Sequence, residues 1–171
     1  GSGDSFWSVL TVLKHQHTYA NIVETKEWCI NYPSFTHYPE CFSTIYKNSL
    51  EDDEIKNAGF TLEKSKAIKT PRIKECIINL ECKYEWERNL YDGSNWALFG
   101  GKVVNVAIDD KAIADDPAKR IDDMQLMYNI RSTVNPINGN FYGPNTLGLL
   151  SEVVKIFSDD GYTKKFDIRG L

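Results

Sequence analysis

The fold is decided by the stretch Ile77–Arg88, which reads IINLECKYEWER. Between residues 78 and 87 the even positions are apolar and the odd positions are polar, a strict period of two. Successive side chains of a β-strand point to opposite faces of the sheet, so this period predicts a long strand. One face of that strand is expected to pack against a core and the other to face solvent.

A second long strand is predicted directly after the first. The turn residues Tyr91-Asp92-Gly93-Ser94 are followed by Trp96–Ile108, so the two strands are expected to form an antiparallel hairpin. Gly100 and Gly101 interrupt the second strand. Adjacent glycines within a strand indicate a bulge or the close approach of a flat ring, and of these we favour the bulge.

An apolar strand followed at once by a helix is predicted before the hairpin. Phe6–Leu13 is almost continuously apolar, which is typical of a strand buried on both faces. The hydroxyl of Thr18 is a candidate cap for a short helix over Tyr19–Glu24. Glu27–Tyr32 then alternates as a half-buried strand that Pro33 ends.

The segment between these strands and the hairpin is less regular. Residues 32–48 are rich in turn formers, and no element is predicted there. Ser49 is expected to begin a short helix, with Asp52 as its capping partner and Gly59 as its end. Residues 60–75 are expected to form a polar, solvated connection.

After the hairpin, residues 109–143 are predicted to be irregular. Asn145 or Thr146 is expected to cap an amphipathic helix that runs to Phe157, and the charged tail beyond it is a candidate edge strand. Sequential strands with helices on one side indicate a mainly β or α+β protein, built on an antiparallel barrel or sheet.

The composition excludes several classes of protein. The chain has 171 residues, of which 42% are hydrophobic and 26% are charged. This is typical of one soluble globular domain over residues 1–171, in which residues 1–3 resemble a linker remnant. The formal net charge of -4 offers no general attraction to nucleic acid or to anionic lipid. No run approaches the ~20 apolar residues of a membrane span, so neither kind of partner is expected.

Cysteine usage favours a reduced, cytoplasmic protein. The four cysteines include no Cys-x-x-Cys pair, and only three histidines accompany them, so neither a zinc site nor a disulfide framework is predicted. Cys82 falls on the apolar face of its strand and is expected in the core. Cys41 and Cys76 lie in less regular sequence, where core or inert loop is the default interpretation.

The strongest candidate binding site is the polar run Lys14-His15-Gln16-His17-Thr18. It lies where the first strand gives way to a helix start, and free amides with the positive end of a helix dipole favour an anion there. A phosphate group would fit these residues. In a second interpretation the side chains only face solvent at a strand end. A metal shared by His15 and His17 has no third ligand nearby in the sequence, so no metal site is predicted.

No catalytic motif is found in the chain. The glycines lack the spacing of a dinucleotide fingerprint or of a phosphate-binding loop, and no Gly-x-Ser-x-Gly elbow is present. No catalytic side chain is therefore predicted.

Six short pieces of the chain, taken in order, carry a resemblance to a known family. They are HTYANI at 17–22, ETKEWCIN at 24–31, NAGFT at 57–61, PRIKEC at 71–76, LEC at 80–82 and FGGKVV at 99–104. Together they resemble the flavin reductase-like proteins of the FMN-binding split-barrel class, which includes flavoredoxin. The resemblance covers about residues 6–108 and is loose beyond residue 111.

The resemblance implies an antiparallel split β-barrel with short peripheral helices, usually a homodimer that binds FMN near the subunit interface. It implies that Lys14–Thr18 cradle the FMN phosphate. Family members often carry Ser-Gly-Arg where this chain has Asn48-Ser49-Leu50, which adds Asn48 and Ser49 to the candidate cofactor-binding residues. They often carry Asp-Lys-Phe where it has Asp53-Glu54-Ile55, so a carboxylate replaces a lysine. Family members usually have further strands before the one that corresponds to Phe6–Leu13, and the resemblance leads us to expect that this sequence lacks them.

The implied activity is that of an NAD(P)H:flavin oxidoreductase. A hydride from NAD(P)H would reduce bound FMN, and electrons would pass to free flavin or to a small electron carrier. Two other functions stay open, namely an FMN-binding electron carrier or sensor without its own turnover, and a barrel protein that has lost its cofactor.

Overall fold

The computed structural model describes residues 6–46, 53–113, 127–131 and 146–149. The strands are β1 (Trp7–Leu13), β2 (Glu27–Tyr32), β3 (Leu62–Glu63), β4 (Arg72–Ile73), β5 (Ile78–Asn89), β6 (Trp96–Ile108), β7 (Met127–Arg131) and β8 (Thr146–Leu149). The α-helices are α1 (His17–Thr25), α2 (Tyr38–Tyr46) and α3 (Glu54–Asn57), and short 3-10 helices cover Phe35–His37 and Asp110–Ala112.

A four-stranded antiparallel sheet, in the order β1-β6-β5-β2, forms the centre of the fold. The long β5–β6 pair at its middle confirms the hairpin predicted from the alternation of residues 77–88. The buried residues Cys82, Phe99 and Val103 lie on one face of the sheet, which we call the inner face. α1 packs Ile22, which is 2% exposed, against this core. The opposite face of the sheet is the outer face.

The strand predicted over residues 6–13 is confirmed, but its expected burial on both faces is wrong. Ser8 and Val12 are buried on the inner face, whereas Trp7, Val9 and Thr11 are exposed on the outer face. Among the described strands β1 stands at the edge of the sheet, where it pairs with β6 on one side. The apolar side chains of β1 therefore lie on both faces of the sheet, with Val12 packed on the inner face and Trp7 and Val9 exposed on the outer face.

The outer face of β5 is covered over its first half, which the alternation did not predict. Glu81 is 0% exposed and Asn79 is 5% exposed, although both occupy the polar face. The covering segment is residues 64–70, which we call the strap. Its Ser65 and Ile68 are buried, and β3 pairs with β4 on either side of it, so the expected solvated connection over 60–75 is wrong in part.

The helix after β1 is confirmed but begins earlier than predicted. Gln16 is the N-cap of α1 and makes no side-chain capping hydrogen bond. Thr18 lies inside the first turn, so its predicted role as the cap is wrong. The half-buried strand predicted over Glu27–Tyr32 is confirmed as β2 with the same bounds.

Two further helices lie between β2 and β3. Residues 35–46, for which no element is predicted, form a 3-10 helix and α2. Pro39 stands in the first turn of α2, where its missing amide costs no hydrogen bond, so this proline marks a helix start. The Asp53 carboxylate caps α3 by accepting from the Lys56 amide at 3.0 Å, and Gly59, with a φ of 83°, follows the helix end as predicted. The predicted start at Ser49 and Asp52 lies outside the described residues.

β7 and β8 form an antiparallel pair. β8 contradicts the helix predicted from residue 145 or 146, because Thr146–Leu149 is a strand. The remainder of that helix and the tail lie outside the described residues. No helix in the described part of the chain is long and apolar enough to cross a membrane.

Candidate functional site

The junction between β1 and α1 is a tight, hydrogen-bonded turn. The Lys14 amide donates to the carbonyl of Asn95 at 2.9 Å, and the Gln16 amide donates to the carbonyl of Leu13 at 3.0 Å. These bonds fix the backbone between the end of β1 and the first residue of α1. The five candidate residues 14–18 therefore stay together as one polar segment beside the start of β6.

The start of α1 is suited to an anion. The first amides of an α-helix have no acceptor within the helix, and the helix dipole places partial positive charge on them. α1 carries no acidic residue in its first turn that could occupy these donors. His15, Gln16 and Thr18 are exposed and His17 is half-buried, so polar side chains of the junction are open to solvent.

Lys14 is oriented by a residue that the sequence analysis missed. Its Nζ donates to the Asn89 Oδ1 at 2.7 Å. Asn89 is the last residue of β5, 75 positions away along the chain. Because the amide is a neutral acceptor, it positions the ammonium group without cancelling its charge. Only the β5–β1 arrangement in space reveals this contact, since nothing in the local sequence of Asn89 indicates it.

A second polar pair lies next to the junction. The Tyr19 hydroxyl donates to the Glu87 carboxylate at 2.9 Å, and the Tyr19 ring lies 5.5 Å from that of Phe99. The hydrogen bond to Glu87, helped by burial, raises the pKa of Tyr19 above its ordinary value. The phenol therefore keeps its proton at neutral pH and acts as a fixed donor.

The two adjacent glycines of β6 admit flat rings that belong to the chain itself. A Cβ at Gly100 would overlap the ring of Trp86, and a Cβ at Gly101 would overlap the ring of Trp28. The favoured bulge is also present at this place, but the pairing of Tyr84 with Gly101 and of Trp86 with Gly100 puts its extra residue on β5. The two glycines thus leave the space that the rings of Trp86 and Trp28 occupy.

The cysteines behave as packing residues. All four are free, and Cys82 is 0% exposed, which confirms its predicted place in the core. Burial raises the pKa of Cys29 and of Cys76 to about 12, and that of Cys82 to about 11. Their thiols stay protonated at neutral pH and are poor nucleophiles.

The structure brings together part of the predicted site. Lys14, His15, Gln16, His17 and Thr18 form the junction described above, whereas Asn48 and Ser49 lie outside the described residues. Among the residues that are described, no group of three His, Cys, Asp or Glu side chains could hold a metal ion. The donor set at the junction consists of backbone amides, one ammonium group and imidazoles, and this chemistry fits a phosphate group.

The chain matches a family model and a curated protein in sequence. A family model described as "Flavin reductase like domain" matches residues 8–134. A curated protein of Aquifex aeolicus (strain VF5), itself uncharacterized, is 26% identical over 125 residues, which cover 73% of this chain and 59% of that protein. The chain thus spans less than two thirds of the length of this relative.

Two solved structures have similar folds. Nitrilotriacetate monooxygenase component B from Bacillus cereus superposes with a TM-score of 0.69 at 17% identity, covering 86% of this chain and 70% of that one. The flavoredoxin of Desulfovibrio vulgaris (Miyazaki F) superposes with a TM-score of 0.68 at 17% identity, covering 90% and 75%. At this identity the likeness shows the fold, which is a split barrel of mainly β structure with short helices.

Proposed function

This chain belongs to the flavin reductase-like family, and from that premise we propose that it is an FMN-binding oxidoreductase. In this proposal it passes electrons from NAD(P)H through FMN to free flavin or to a small electron carrier. The observation that supports FMN is the phosphate-compatible junction at the start of α1, where the first turn presents backbone amides and carries no carboxylate. A flavin without a phosphate would leave these donors unused.

The residues of the junction would bind and orient the cofactor. The amides of the first turn of α1 and the Lys14 ammonium group would hold the phosphate, with His17 as a further donor. Asn89 would keep the Lys14 side chain in place through its 2.7 Å hydrogen bond. Bound FMN would supply a ring that accepts a hydride and gives up electrons one or two at a time.

No side chain needs to exchange a proton with the substrate in this proposal. Each turnover oxidises NAD(P)H to NAD(P)+, and the two electrons reduce either one free flavin or two one-electron carriers. In the second case one proton is released to solvent. The Tyr19 hydroxyl stays protonated at neutral pH, because the hydrogen bond to Glu87 raises the Tyr19 pKa.

We also propose that the protein is a homodimer in the cytoplasm. The inner face of the sheet extends beyond the core at one end, where Val106 is 40% exposed and Ile108 is 44% exposed. Tyr32 continues this apolar row, since it pairs with Ile78, which in turn pairs with Ile108. Apolar rows of this kind are typical of subunit interfaces. The four free cysteines favour a reducing compartment.

The test of cofactor choice compares FMN with riboflavin, which has the same ring and no phosphate. We expect FMN to bind at least tenfold more tightly, as measured by quenching of flavin fluorescence. The double variant Lys14→Ala/His17→Ala should lose most of this preference, since charge-assisted bonds to phosphate contribute about 1.5 to 3 kcal/mol. The matched variant Lys66→Ala/Lys69→Ala removes two exposed lysines of the strap and should keep the preference for FMN over riboflavin. Equal affinity for FMN and riboflavin in the unmodified protein would refute the phosphate site.

A second experiment separates a reductase from a passive carrier. The FMN-loaded protein is mixed with NADH or NADPH without oxygen, and the flavin absorbance near its visible maximum is followed. If the protein is a reductase, its bound flavin should bleach within seconds, and the protein should keep oxidising the nucleotide when free flavin is added. Bound flavin that stays oxidised with both nucleotides would favour the carrier or sensor.

A further inference from the structure

Two lysines face each other directly on the outer face of the sheet. Lys83 of β5 is the register partner of Lys102 of β6, and both are exposed. Their neighbours Cys82 and Val103 are buried on the inner face, so the two lysine side chains share the outer face. Like charges directly opposite each other destabilise a sheet. The lysine pair does not help the sheet to fold, which favours a role in binding.

Two carboxylates beside this pair, those of Glu27 and Glu81, bind the strap. Glu27 is the register partner of Lys83 on the other side, but its Oε1 accepts the strap amides of Lys69 and Thr70, each at 2.6 Å. Glu81, two residues before Lys83, likewise accepts strap amides on its two oxygens. Both carboxylates are engaged in holding the strap on the outer face beside the lysine pair.

The strap adds cations to the same face. The side chains of Lys64, Lys66 and Lys69 are exposed, while the strap backbone is held down by hydrogen bonds. Together with Lys83 and Lys102 this makes five exposed lysines. They stand against three carboxylates, the two that bind the strap and the exposed Glu85 two residues after Lys83, which leaves an excess of two positive charges. This local charge is opposite in sign to the net charge of the chain, which is -4.

An exposed tryptophan borders the lysines. Trp7 of β1 is the register partner of Lys102 and is 45% exposed. Aromatic side chains are enriched in protein interfaces, where they give contact area, and charged groups around them steer and select the partner. The row Trp7-Lys102-Lys83 runs across three neighbouring strands, and all three residues are exposed.

We propose that this outer face, centred on Lys83 and Lys102, docks a protein partner with an acidic surface. The proposal rests on the proposed function only in naming that partner as a one-electron carrier protein. On that basis two carriers would each gain one electron for every NAD(P)H oxidised to NAD(P)+, with release of one proton. Charge complementarity selects an acidic carrier over a basic one, and the contact forms and breaks readily because it is polar.

The test measures binding of the full chain to an acidic [2Fe-2S] ferredoxin, without NAD(P)H and without turnover. A basic cytochrome c, also a one-electron carrier, is the charge-inverted probe. We expect the protein to bind the ferredoxin and not the cytochrome, with affinity falling about tenfold when salt rises from low to physiological ionic strength and above. The charge reversal Lys83→Glu/Lys102→Glu should weaken ferredoxin binding at least tenfold.

A matched variant and a second variant complete the design. Lys56→Glu/Lys74→Glu makes the same change in net charge at exposed lysines of α3 and of the segment after β4, and should bind as the unmodified protein does. Lys66→Glu/Lys69→Glu tests the strap if the sheet variant does not fold. Equal loss in the matched variant, equal binding of cytochrome and ferredoxin, or no binding of ferredoxin would overturn the proposal. Each of these results is independent of whether the flavin is reduced.

Discussion

The Glu81 carboxylate, which is 0% exposed, accepts a hydrogen bond from the Ala67 backbone amide at 2.6 Å. The Lys66 amide and the Asn105 side chain donate to its other oxygen, both at 3.0 Å. A single buried side chain thus fastens the strap to the sheet. Glu27 repeats the arrangement at the other end of the strap through the amides of Lys69 and Thr70.

Replacing Glu81 by Ala should destabilise the fold by about 2 to 4 kcal/mol. The change leaves the amides of Lys66 and Ala67 without their acceptor, and unpaired buried donors are costly. Glu81→Gln keeps one acceptor oxygen and should cost less. Urea unfolding at neutral pH measures both values, with Glu85→Ala on the exposed bulge as the control. An equal, small cost for Glu81→Ala and Glu85→Ala would show that the strap is not held by this contact.

The same carboxylate predicts a loss of stability in acid. Burial opposes ionisation of Glu81, but the amides of Lys66 and Ala67 outweigh it and hold the pKa below its ordinary value of 4.5. A lowered pKa contributes stability that is present above pH 4.5 and is lost as the pH falls through the lower folded-state value. Unfolding free energies from pH 7 down to pH 3 should therefore fall less steeply for Glu81→Gln than for the unmodified protein. Parallel curves would exclude Glu81 as a source of the pH dependence.

The glycines of β6 should differ in their tolerance of a methyl group. At Gly101 a Cβ would meet the ring of Trp28, which is 5% exposed, and the backbone oxygen of Lys83 at 2.6 Å. At Gly100 it would meet the half-buried ring of Trp86, which can move outward. We expect Gly101→Ala to cost about 3 kcal/mol and Gly100→Ala about 1 kcal/mol, as measured by thermal unfolding. The reverse order would show that the Trp86 ring is the more tightly held of the two.

The homodimer proposal gives a test on the exposed apolar row of the inner face. Ile108→Lys adds a charge to a side chain that is 44% exposed, so the fold should persist while self-association is lost. Light scattering after size exclusion should then report half the mass of the unmodified protein. Val9→Lys, on the outer face of β1, is the control and should stay dimeric. A monomeric unmodified protein would refute the dimer outright.

The sequence predicts the sheet well because period-two patterns depend on the strand itself. The bounds of β2 and the β5–β6 hairpin follow from alternation and turn residues alone. What alternation cannot show is what lies on top of a strand, so the burial of Glu81 under the strap and the exposure of Trp7 were missed. The flavin reductase-like resemblance, carried by short ordered motifs, led to the family that the match over residues 8–134 shows.

Only the part of the candidate site that is continuous in the sequence could be predicted. Residues 14–18 are neighbours in sequence, and a strand that gives way to a helix start can be read locally. Asn89 reaches Lys14 only because β5 and β1 are brought together through β6. A contact over 75 positions leaves no trace in the spacing of either residue.

Asn89 therefore gives the sharpest test of the phosphate site. In the unmodified protein the Lys14 ammonium group lies 2.7 Å from the neutral amide oxygen of Asn89. Asn89→Asp keeps an oxygen at this place but adds a negative charge, which neutralises the charge of Lys14. We expect FMN to bind about tenfold more weakly or worse, because a charge-assisted bond is lost and the new carboxylate repels phosphate. Riboflavin, which has no phosphate, should bind as before, and Asn89→Ser should lie between the two proteins. If both flavins weakened equally, Asn89 would act on the fold and not on the phosphate, and the anion site would have to lie elsewhere.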